Sequence, residues 1–322
     1  MNPSVTAVVP TRDRVGMLAR TLACVLAQRD VELEVVVVDE GSTDATPALL
    51  ASLGDRVRTV RHDEPRGLPA ARNAGLAVAH GKWVAFCDDD DLWAPDKLAA
   101  QLDAAAATGA GWCACGSVNV DVDDRVVGAH RPVGGEVHRR LQAGNLVPGG
   151  GSGIAAERAL LEHVGGFDET LRASEDYDCW IRLAAESPLA AVDRPLLAYR
   201  VWPGTMSTDV GRQRANHAIV TARHAGDDLD AEEVRAADLR FRQYLARRHV
   251  TAGRRWDGFR DYLAIAARHR LPTHVVHAAA ALLAPGVSER RHARRELAGV
   301  PAAYLDEATG WLAAVAPLEV PA

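Results

Sequence analysis

Four consecutive aspartates, Asp88, Asp89, Asp90 and Asp91, follow the short apolar run 83–87. That run is too short, and too rich in aromatic and β-branched residues, for a helix, so it predicts a buried strand. Adjacent carboxylates repel each other by roughly 1 kcal/mol in water and by more in a cleft. Such a cluster favours a hard divalent ion, Mg²⁺ or Mn²⁺, that bridges to a substrate phosphate. The alternative is a solvated acidic loop at a helix N-terminus, where the helix dipole stabilises negative charge.

Two further loops follow predicted strands and carry polar groups. After the strand 5–9, backbone N–H groups at a helix N-terminus could hold a nucleotide, although a simple capped turn explains the loop equally well. The residues of this loop are Pro10, Thr11, Arg12, Asp13 and Arg14. After the strand 33–38, Asp39 could accept hydrogen bonds from a base or a ribose, or could serve only as a turn residue.

An alternation of strands and helices must position these loops. Strands are expected at 5–9, 33–38, 57–60 and 83–87, with helices beginning near Val15, Thr46, Pro69 and Pro95. Thr46 has the character of an N-cap, with Pro47 at the first helical position. The alternation predicts an α/β fold with a mostly parallel sheet covered by helices on both faces. Because ligands bind beyond the carboxyl ends of such strands, the three loops are expected on one rim.

The pattern loosens after the aspartates. Strands are expected at 112–122, 126–129 and 197–202, and helices at 156–164 and 176–186. The glycine-rich segment 149–153 predicts a flexible loop that exposes its backbone. From residue 208 onward the Ala-, Arg- and His-rich sequence predicts a helix around residues 234–245 and three or four more after it, so the chain is expected to divide into units 1–207 and 208–322.

The composition of the 322 residues narrows the class of protein. A net charge of −6 argues against wholesale nucleic-acid binding. Five cysteines, an odd number without metal-ligand spacing, predict reduced structural thiols. No secretory signal and no long uncharged apolar run is visible, which predicts a cytoplasmic protein without a transmembrane segment. Neither a GxGxxG nor a GxxxxGK[ST] pattern occurs, which disfavours dehydrogenases and P-loop NTPases.

Six segments in order together resemble the motifs of family 2 glycosyltransferases with the GT-A fold. They are Val8-Val9-Pro10-Thr11, Val37-Val38-Asp39-Glu40-Gly41-Ser42-Thr43-Asp44, Gly67-Leu68-Pro69-Ala70-Ala71-Arg72-Asn73-Ala74-Gly75, Phe86-Cys87-Asp88-Asp89-Asp90-Asp91-Leu92-Trp93-Ala94-Pro95, Gly165-Gly166-Phe167-Asp168-Glu169, and Glu175-Asp176-Tyr177-Asp178-Cys179-Trp180-Ile181-Arg182-Leu183. The resemblance covers roughly residues 4–207, which would form the catalytic domain. The residues 208–322 would then be a helical subdomain with an acceptor, lid or dimerisation role.

The resemblance implies an inverting transfer of a sugar, from a UDP-sugar in the first instance, to an acceptor hydroxyl. Asp176 would be the catalytic base and Glu175 would orient the acceptor. Asp90, with Asp88, would bind Mn²⁺ or Mg²⁺. The residues implied in nucleotide binding are Pro10, Thr11, Arg12, Arg14, Asp39, Arg72, Asp88 and Asp89.

One position departs from the family pattern. Where many relatives carry a metal-binding histidine, this chain has Trp202. Either the ion has fewer protein ligands, or His217 substitutes, or metal dependence is weakened. Trp202 could instead stack on a sugar face or only pack. Trp180 and Gly150 are lesser candidates for contact with the sugar or acceptor.

The expected partners are the nucleotide-sugar donor and a small-molecule or glycan acceptor, with no nucleic acid. A catalytically silent scaffold of the same fold is the alternative, and joint retention of Asp39, Asp90 and Asp176 argues against it. The basic run 290–295 could contact an anionic membrane or acceptor, or could form a solvated helix face. Apolar helical stretches of the tail are compatible with a homodimer.

Overall fold

A nine-stranded mixed sheet lies at the centre of the part of the chain that the computed structural model describes, residues 4–202, 208–226 and 228–321. Its strands run in the spatial order β3-β2-β1-β4-β8-β6-β9-β5, and β7 also pairs with β6. The strands are β1 (Val5–Thr11), β2 (Leu33–Asp39), β3 (Arg58–Arg61), β4 (Trp83–Phe86), β5 (Leu92–Trp93), β6 (Trp112–Val120), β7 (Val126–His130), β8 (Ile154–Glu157) and β9 (Leu189–Arg200).

Helices cover both faces of this sheet and form the C-terminal part of the described chain. They are α1 (Val15–Leu26), α2 (Thr46–Leu53), α3 (Leu68–Val78), α4 (Lys97–Thr108), α5 (His138–Ala143), α6 (Arg158–His163), α7 (Glu175–Glu186), α8 (Val210–Arg223), α9 (Ala231–Thr251), α10 (Arg255–His269), α11 (Thr273–Leu283), α12 (Pro285–Glu296) and α13 (Ala302–Leu312). Two short 3₁₀ turns, Gly54–Arg56 and Gly150–Gly153, complete the regular structure.

The first four strands are parallel, as the sequence predicts. β1 pairs in parallel with β2 on one side and with β4 on the other. Val9 and Val37 belong to one apolar cluster and Val8 and Phe86 to another, on opposite faces of the sheet. Because helices bury both faces of the sheet, these strands are nearly continuous runs of apolar residues. The remaining pairings are mixed, since β8 is antiparallel to both β4 and β6 while β9 is parallel to β6.

Several elements differ from those expected. The helix predicted at 156–164 is confirmed as α6, which begins only at Arg158; its first two predicted positions belong to the central strand Ile154–Glu157, because pairing with β4 and β6 overrides the helical preference of alanine. β9 begins much earlier than residue 197, running through Pro195, where its register with β6 shifts. Thr46 is the first residue of α2 and not its N-cap; the Asp44 carboxylate accepts from its N–H at 2.9 Å.

The described tail contains six helices, where one helix around residues 234–245 and three or four more after it were expected. α9, α10 and α11 share an apolar cluster of their own, which includes Ala246, Tyr262 and Ile265. The last helix instead returns to the sheet. Leu312 lies in the same cluster as β1, and the Trp311 indole N–H donates to the Pro195 carbonyl at 2.8 Å. The boundary predicted at residue 207 falls outside the described residues.

All five cysteines are free and buried, which confirms the prediction of reduced thiols. Burial raises the pKa of the Cys24 thiol to about 11, so this residue is an inert core side chain. None of the helices in the described ranges has the length and apolar character needed to cross a membrane.

Candidate active site

One cleft of about 1630 Å³ collects the loops that follow β1 and β4, the 3₁₀ turn Gly150–Gly153 and the first turn of α7. Residues of the C-terminal helices α8 to α12 also line it. The rim predicted from the alternation of strands therefore exists. The second half of the sheet and the tail extend the rim into a large, two-sided groove.

Asp89 ties the loop after β4 to the loop after β1. Its carboxylate accepts from the Thr11 hydroxyl at 2.8 Å and from the Arg14 guanidinium at 2.9 Å. The side chain is buried, and burial, opposed by the charge of Arg14, raises its pKa to about 6. Because both of its oxygens accept hydrogen bonds from the loop after β1, Asp89 links that loop to the loop after β4.

Asp90 is held by Trp202. The indole N–H donates to Asp90 Oδ2 at 2.9 Å, and Arg14 Nη1 lies 3.6 Å from the same oxygen. The Arg14 guanidinium carbon is 5.3 Å from the centre of the Trp202 ring, in a cation–π arrangement. Trp202 is therefore a hydrogen-bond donor to the aspartate cluster.

Asp91 does not lie at a helix N-terminus, the alternative considered for the aspartate cluster, because β5 intervenes and α4 begins only at Lys97. Its carboxylate is completely buried, and one oxygen accepts from the Arg200 backbone N–H at 3.0 Å. Burial and the neighbouring aspartates raise its pKa well above the ordinary value. Asp91 thus anchors β9 beside the cluster.

Arg72 joins the aspartate cluster to the acidic pair at the start of α7. Its guanidinium donates to Asp88 Oδ1 at 2.7 Å and to Glu175 Oε1 at 2.9 Å. The residue is 1% exposed, and its guanidinium carbon lies 5.3 Å from the centre of the Phe167 ring. A Cβ at Gly151 would lie 2.6 Å from Arg72 Nη2, so glycine is required for this close approach.

The acidic pair Glu175 and Asp176 faces the cleft. Burial, followed by the charge of Asp176, raises the pKa of Glu175 to about 7. Burial also raises the pKa of Asp176, against the attraction of Arg72. One Asp176 oxygen accepts from the Tyr177 N–H at 2.7 Å, and a Cβ at Gly150 would lie 3.2 Å from the other oxygen. The glycine turn therefore leaves Asp176 accessible from the cleft.

Comparison with known proteins identifies the family. The sequence pattern of glycosyl transferase family 2 matches residues 6–165. The chain carries a family 2 glycosyltransferase domain. The succinoglycan biosynthesis protein ExoO of Rhizobium meliloti (strain 1021) is 46% identical over 109 residues, which cover 34% of this chain and 31% of ExoO. The chain spans about a third of the length of the first curated relatives that it matches.

Solved structures share the fold over nearly the whole chain. The crystal structure of S. aureus TarS in complex with UDP-GlcNAc superposes with a TM-score of 0.59 at 16% identity, covering 90% of this chain and 89% of TarS. A Pyrobaculum calidifontis mannosyltransferase in complex with GDP-Man and Mn²⁺ gives 0.56 at 25% identity, covering 96% and 87%. The GT-A fold predicted from the sequence is thereby confirmed.

Asp39 lies at the carboxyl end of β2 as predicted, but both oxygens of its carboxylate already interact with other residues of the protein. One oxygen accepts from the Ser42 N–H at 2.8 Å and the other pairs with Arg61. The residue is 1% exposed and does not line the cleft. Its neighbour Glu40 does, and Glu40 accepts from the backbone N–H of Arg66 at 2.8 Å. Sequence reasoning missed Glu40, although it directly follows the strand-end aspartate.

Two aromatic candidates lie elsewhere than expected. Trp180 is fully buried against Trp112, at a ring separation of 6.1 Å, so the prediction that it contacts the sugar or acceptor is wrong. His217 stacks on Phe241 at 3.6 Å and on Tyr177 at 5.6 Å, and burial lowers its pKa to about 4. It contacts an aromatic stack and not the aspartate cluster. Pro10, Thr11, Arg12, Arg14 and Gly150 line the cleft as predicted.

The aspartate cluster fits a divalent ion that takes part of its coordination from a substrate. Within the described residues no three His, Cys, Asp or Glu side chains form a complete metal cage. Arg72 donates to one oxygen of Asp88, and Trp202 donates to one oxygen of Asp90. The second oxygen of each carboxylate has no side-chain donor in the described part of the chain. Mg²⁺ and Mn²⁺ are commonly bound in this way, by one or two carboxylates together with phosphate oxygens and water.

Proposed function

We propose that this protein transfers a sugar from a nucleotide diphosphate sugar to an acceptor hydroxyl, with inversion at the anomeric carbon. The observation that carries the proposal is the buried bridge from Asp88 through Arg72 to Glu175. The Arg72 guanidinium alone connects Asp88, in the aspartate cluster suited to a diphosphate site, to Glu175, in the acidic pair suited to proton abstraction. The donor and the acceptor would therefore meet within one cleft.

The donor would occupy the rim after β1 and β4. Asp88 and Asp90 would hold Mg²⁺ or Mn²⁺, which when bound supplies positive charge that stabilises the leaving diphosphate. Arg14, already turned toward Asp89 and Asp90, would add a guanidinium beside the same oxygens. Arg12 and Pro10 line the approach to this rim.

Asp176 would act as the general base. A carboxylate whose pKa is raised by burial accepts a proton more readily near neutral pH than a solvated one. As the acceptor oxygen bonds to the anomeric carbon, the carbon–oxygen bond to the diphosphate breaks and Asp176 takes the acceptor proton. Attack from the face opposite the leaving group inverts the configuration. Glu175, fixed by Arg72, would orient the acceptor.

A UDP-sugar is the proposed donor, and the C-terminal helices are proposed to bind the acceptor. The TarS structure holds UDP-GlcNAc and the mannosyltransferase structure holds GDP-Man, so the two neighbours differ in nucleotide. The first experiment is a thermal-shift panel of UDP-, dTDP- and GDP-sugars, each with and without Mn²⁺. Stabilisation by one of these donors that increases with Mn²⁺ is expected. If none of them raises Tm, the proposal fails.

The catalytically silent alternative makes a different prediction. A scaffold that only binds nucleotide sugar would be stabilised by the donor but would release no nucleoside diphosphate. Measurement of UDP release with a mixture of glycan acceptors separates the two possibilities, because only transfer or slow hydrolysis produces UDP.

A further inference from the structure

Arg248 of α9 is a buried cation that lines the cleft. The residue is 7% exposed, and no described carboxylate forms an ion pair with its guanidinium. Its guanidinium carbon lies 5.0 Å from the centre of the Tyr244 ring. An ionised group taken out of water without a counter-charge is costly to the fold. Retention of such a group on the wall of a cleft indicates that a ligand supplies the negative charge.

The neighbours of Arg248 do not supply that charge. Tyr199 faces it from β9, and burial raises the pKa of Tyr199 far above the ordinary value, so its hydroxyl stays neutral. The charge of Glu296 acts on Arg248, but Glu296 forms no ion pair with it and already pairs with other cations. It lies 3.1 Å from Arg247, 2.7 Å from His292 and 3.9 Å from His130.

The face of α9 that carries Arg248 carries further arginines. Arg240, Tyr244, Arg247, Arg248 and Thr251 all line the cleft, and their spacing of three and four residues places them on one side of the helix. Arginine and tyrosine side chains are donors that suit phosphate and carboxylate oxygens. The wall is therefore built to receive an oxyanion.

The position of this wall on α9 places it beside the proposed base. Phe241 of the same helix stacks on His217, which in turn stacks on Tyr177, the residue after Asp176. The end of β9 connects this wall to the donor site, because Tyr199 faces Arg248 while Arg200 contacts Asp90 and Asp91. An anion on this helix would therefore approach from the side of the base, and saturation of the donor site with UDP separates it from a diphosphate beside Asp88 and Asp90.

We propose that Arg248, with Arg240 on the same face of α9, forms a binding site for an oxyanion carried by the acceptor, a phosphate or a carboxylate. The acceptor of this protein is accordingly an acidic molecule. The assignment of this anion site to the acceptor rests on the proposed function, whereas the existence of the site does not.

The test is a thermal-shift titration with inorganic phosphate and, in parallel, with acetate, at constant ionic strength. Wild type, Arg248→Gln and Arg235→Gln are compared, each with and without saturating UDP and Mg²⁺. Arg235 is an exposed arginine of the same helix that does not line the cleft, which makes it a matched control. Saturable stabilisation that persists with UDP is expected in wild type and in Arg235→Gln. Arg248→Gln is expected to weaken it by about tenfold or more, because hydrogen bonds to charged groups are lost.

The stability of the ligand-free variants gives a second readout. If Arg248 awaits a ligand, its replacement by glutamine removes an uncompensated buried charge, so Tm should stay the same or rise. A large fall in Tm, or failure to fold, would show that the guanidinium is neutralised within the protein and would overturn the proposal. Arg248→Lys keeps the charge but not the planar fork, and it should bind phosphate with intermediate affinity.

The outcomes distinguish the two proposals. An equal phosphate response in Arg248→Gln and wild type, or no saturable response in wild type to either anion, overturns the anion site. A response to phosphate alone indicates a phosphorylated acceptor, and a response to acetate alone indicates a carboxylated one. Absence of any UDP-dependent stabilisation contradicts the proposed donor site, whatever the anion titration shows.

Discussion

Arg72 and Glu175 lie 103 positions apart along the chain, yet their side chains meet at 2.9 Å in a buried ion pair. The same guanidinium holds Asp88 at 2.7 Å. The charges of Asp88, Glu175 and Asp176 all act on this one cation. Three carboxylates around one guanidinium leave an excess of negative charge, which favours retention of a proton on the acidic pair.

Loss of Arg72 should destabilise the fold strongly. Arg72→Met leaves Asp88 and Glu175 without their buried partner, and breaking a buried ion pair destabilises by about 3–5 kcal/mol. The free energy of unfolding, measured by urea titration, is the readout. Arg158→Met is the matched control, because Arg158 pairs with Glu162 on an exposed helix surface and such pairs contribute under about 1 kcal/mol. Equal losses in the two variants would contradict the bridging role of Arg72.

Stability should depend on pH through Glu175. Its pKa rises from 4.5 to about 7, first through burial and then through the charge of Asp176. Between these values the folded state holds a proton that the unfolded state has released. The free energy of unfolding therefore falls as pH rises from about 4.5 to about 7. Asp89, whose pKa is raised to about 6, adds a contribution of the same sign.

Glu175→Gln should flatten this dependence, since the glutamine amide does not titrate. Urea unfolding at a series of pH values measures the slope in each variant. Glu162→Gln, at an exposed carboxylate, should leave the slope as it is in wild type. An unchanged slope in Glu175→Gln would show that Glu175 is ionised throughout this range and fully paired with Arg72.

Trp202 offers a direct test of the metal site. Its indole N–H bonds Asp90 at 2.9 Å, so Trp202→His places an imidazole next to a proposed metal-binding carboxylate. Added or improved coordination changes metal affinity by about tenfold or more. Calorimetric titration of Mn²⁺ in the presence of UDP should show tighter binding than in wild type. Trp202→Phe, which lacks a ligand atom, is the control, and equal Mn²⁺ affinity in both variants would argue against an ion at this position.

The strand-end loops could be placed from the sequence because their causes are local. An apolar run such as 83–87, bounded by turn residues, predicts a buried strand, and parallel strands bring their carboxyl ends to one edge. Trp180 was misplaced, although Tyr177, Trp180, Ile181 and Ala184 have the spacing of a buried helix face.

Other features of the structure depend on interactions between distant residues and could not be predicted locally. Arg61, on β3, forms an ion pair with Asp39, and the sequence around either residue does not predict this pair. The Ala-rich segment Ile154–Glu157 becomes a strand only because β4 and β6 flank it. The buried guanidinium of Arg248, which pairs with no described carboxylate, has the same helical context as that of the exposed Arg235, so burial alone distinguishes the two residues.

The role of Asp176 as general base is the central claim, and Asp176→Asn tests it most directly. UDP release in the presence of acceptor and the Kd for UDP are measured on the same preparation, with Asp103→Asn on the exposed side of α4 as control. The variant should keep the UDP affinity of wild type, while its turnover falls by about 10²–10⁴-fold, the range supplied by a general base. Wild-type turnover in Asp176→Asn would contradict the account.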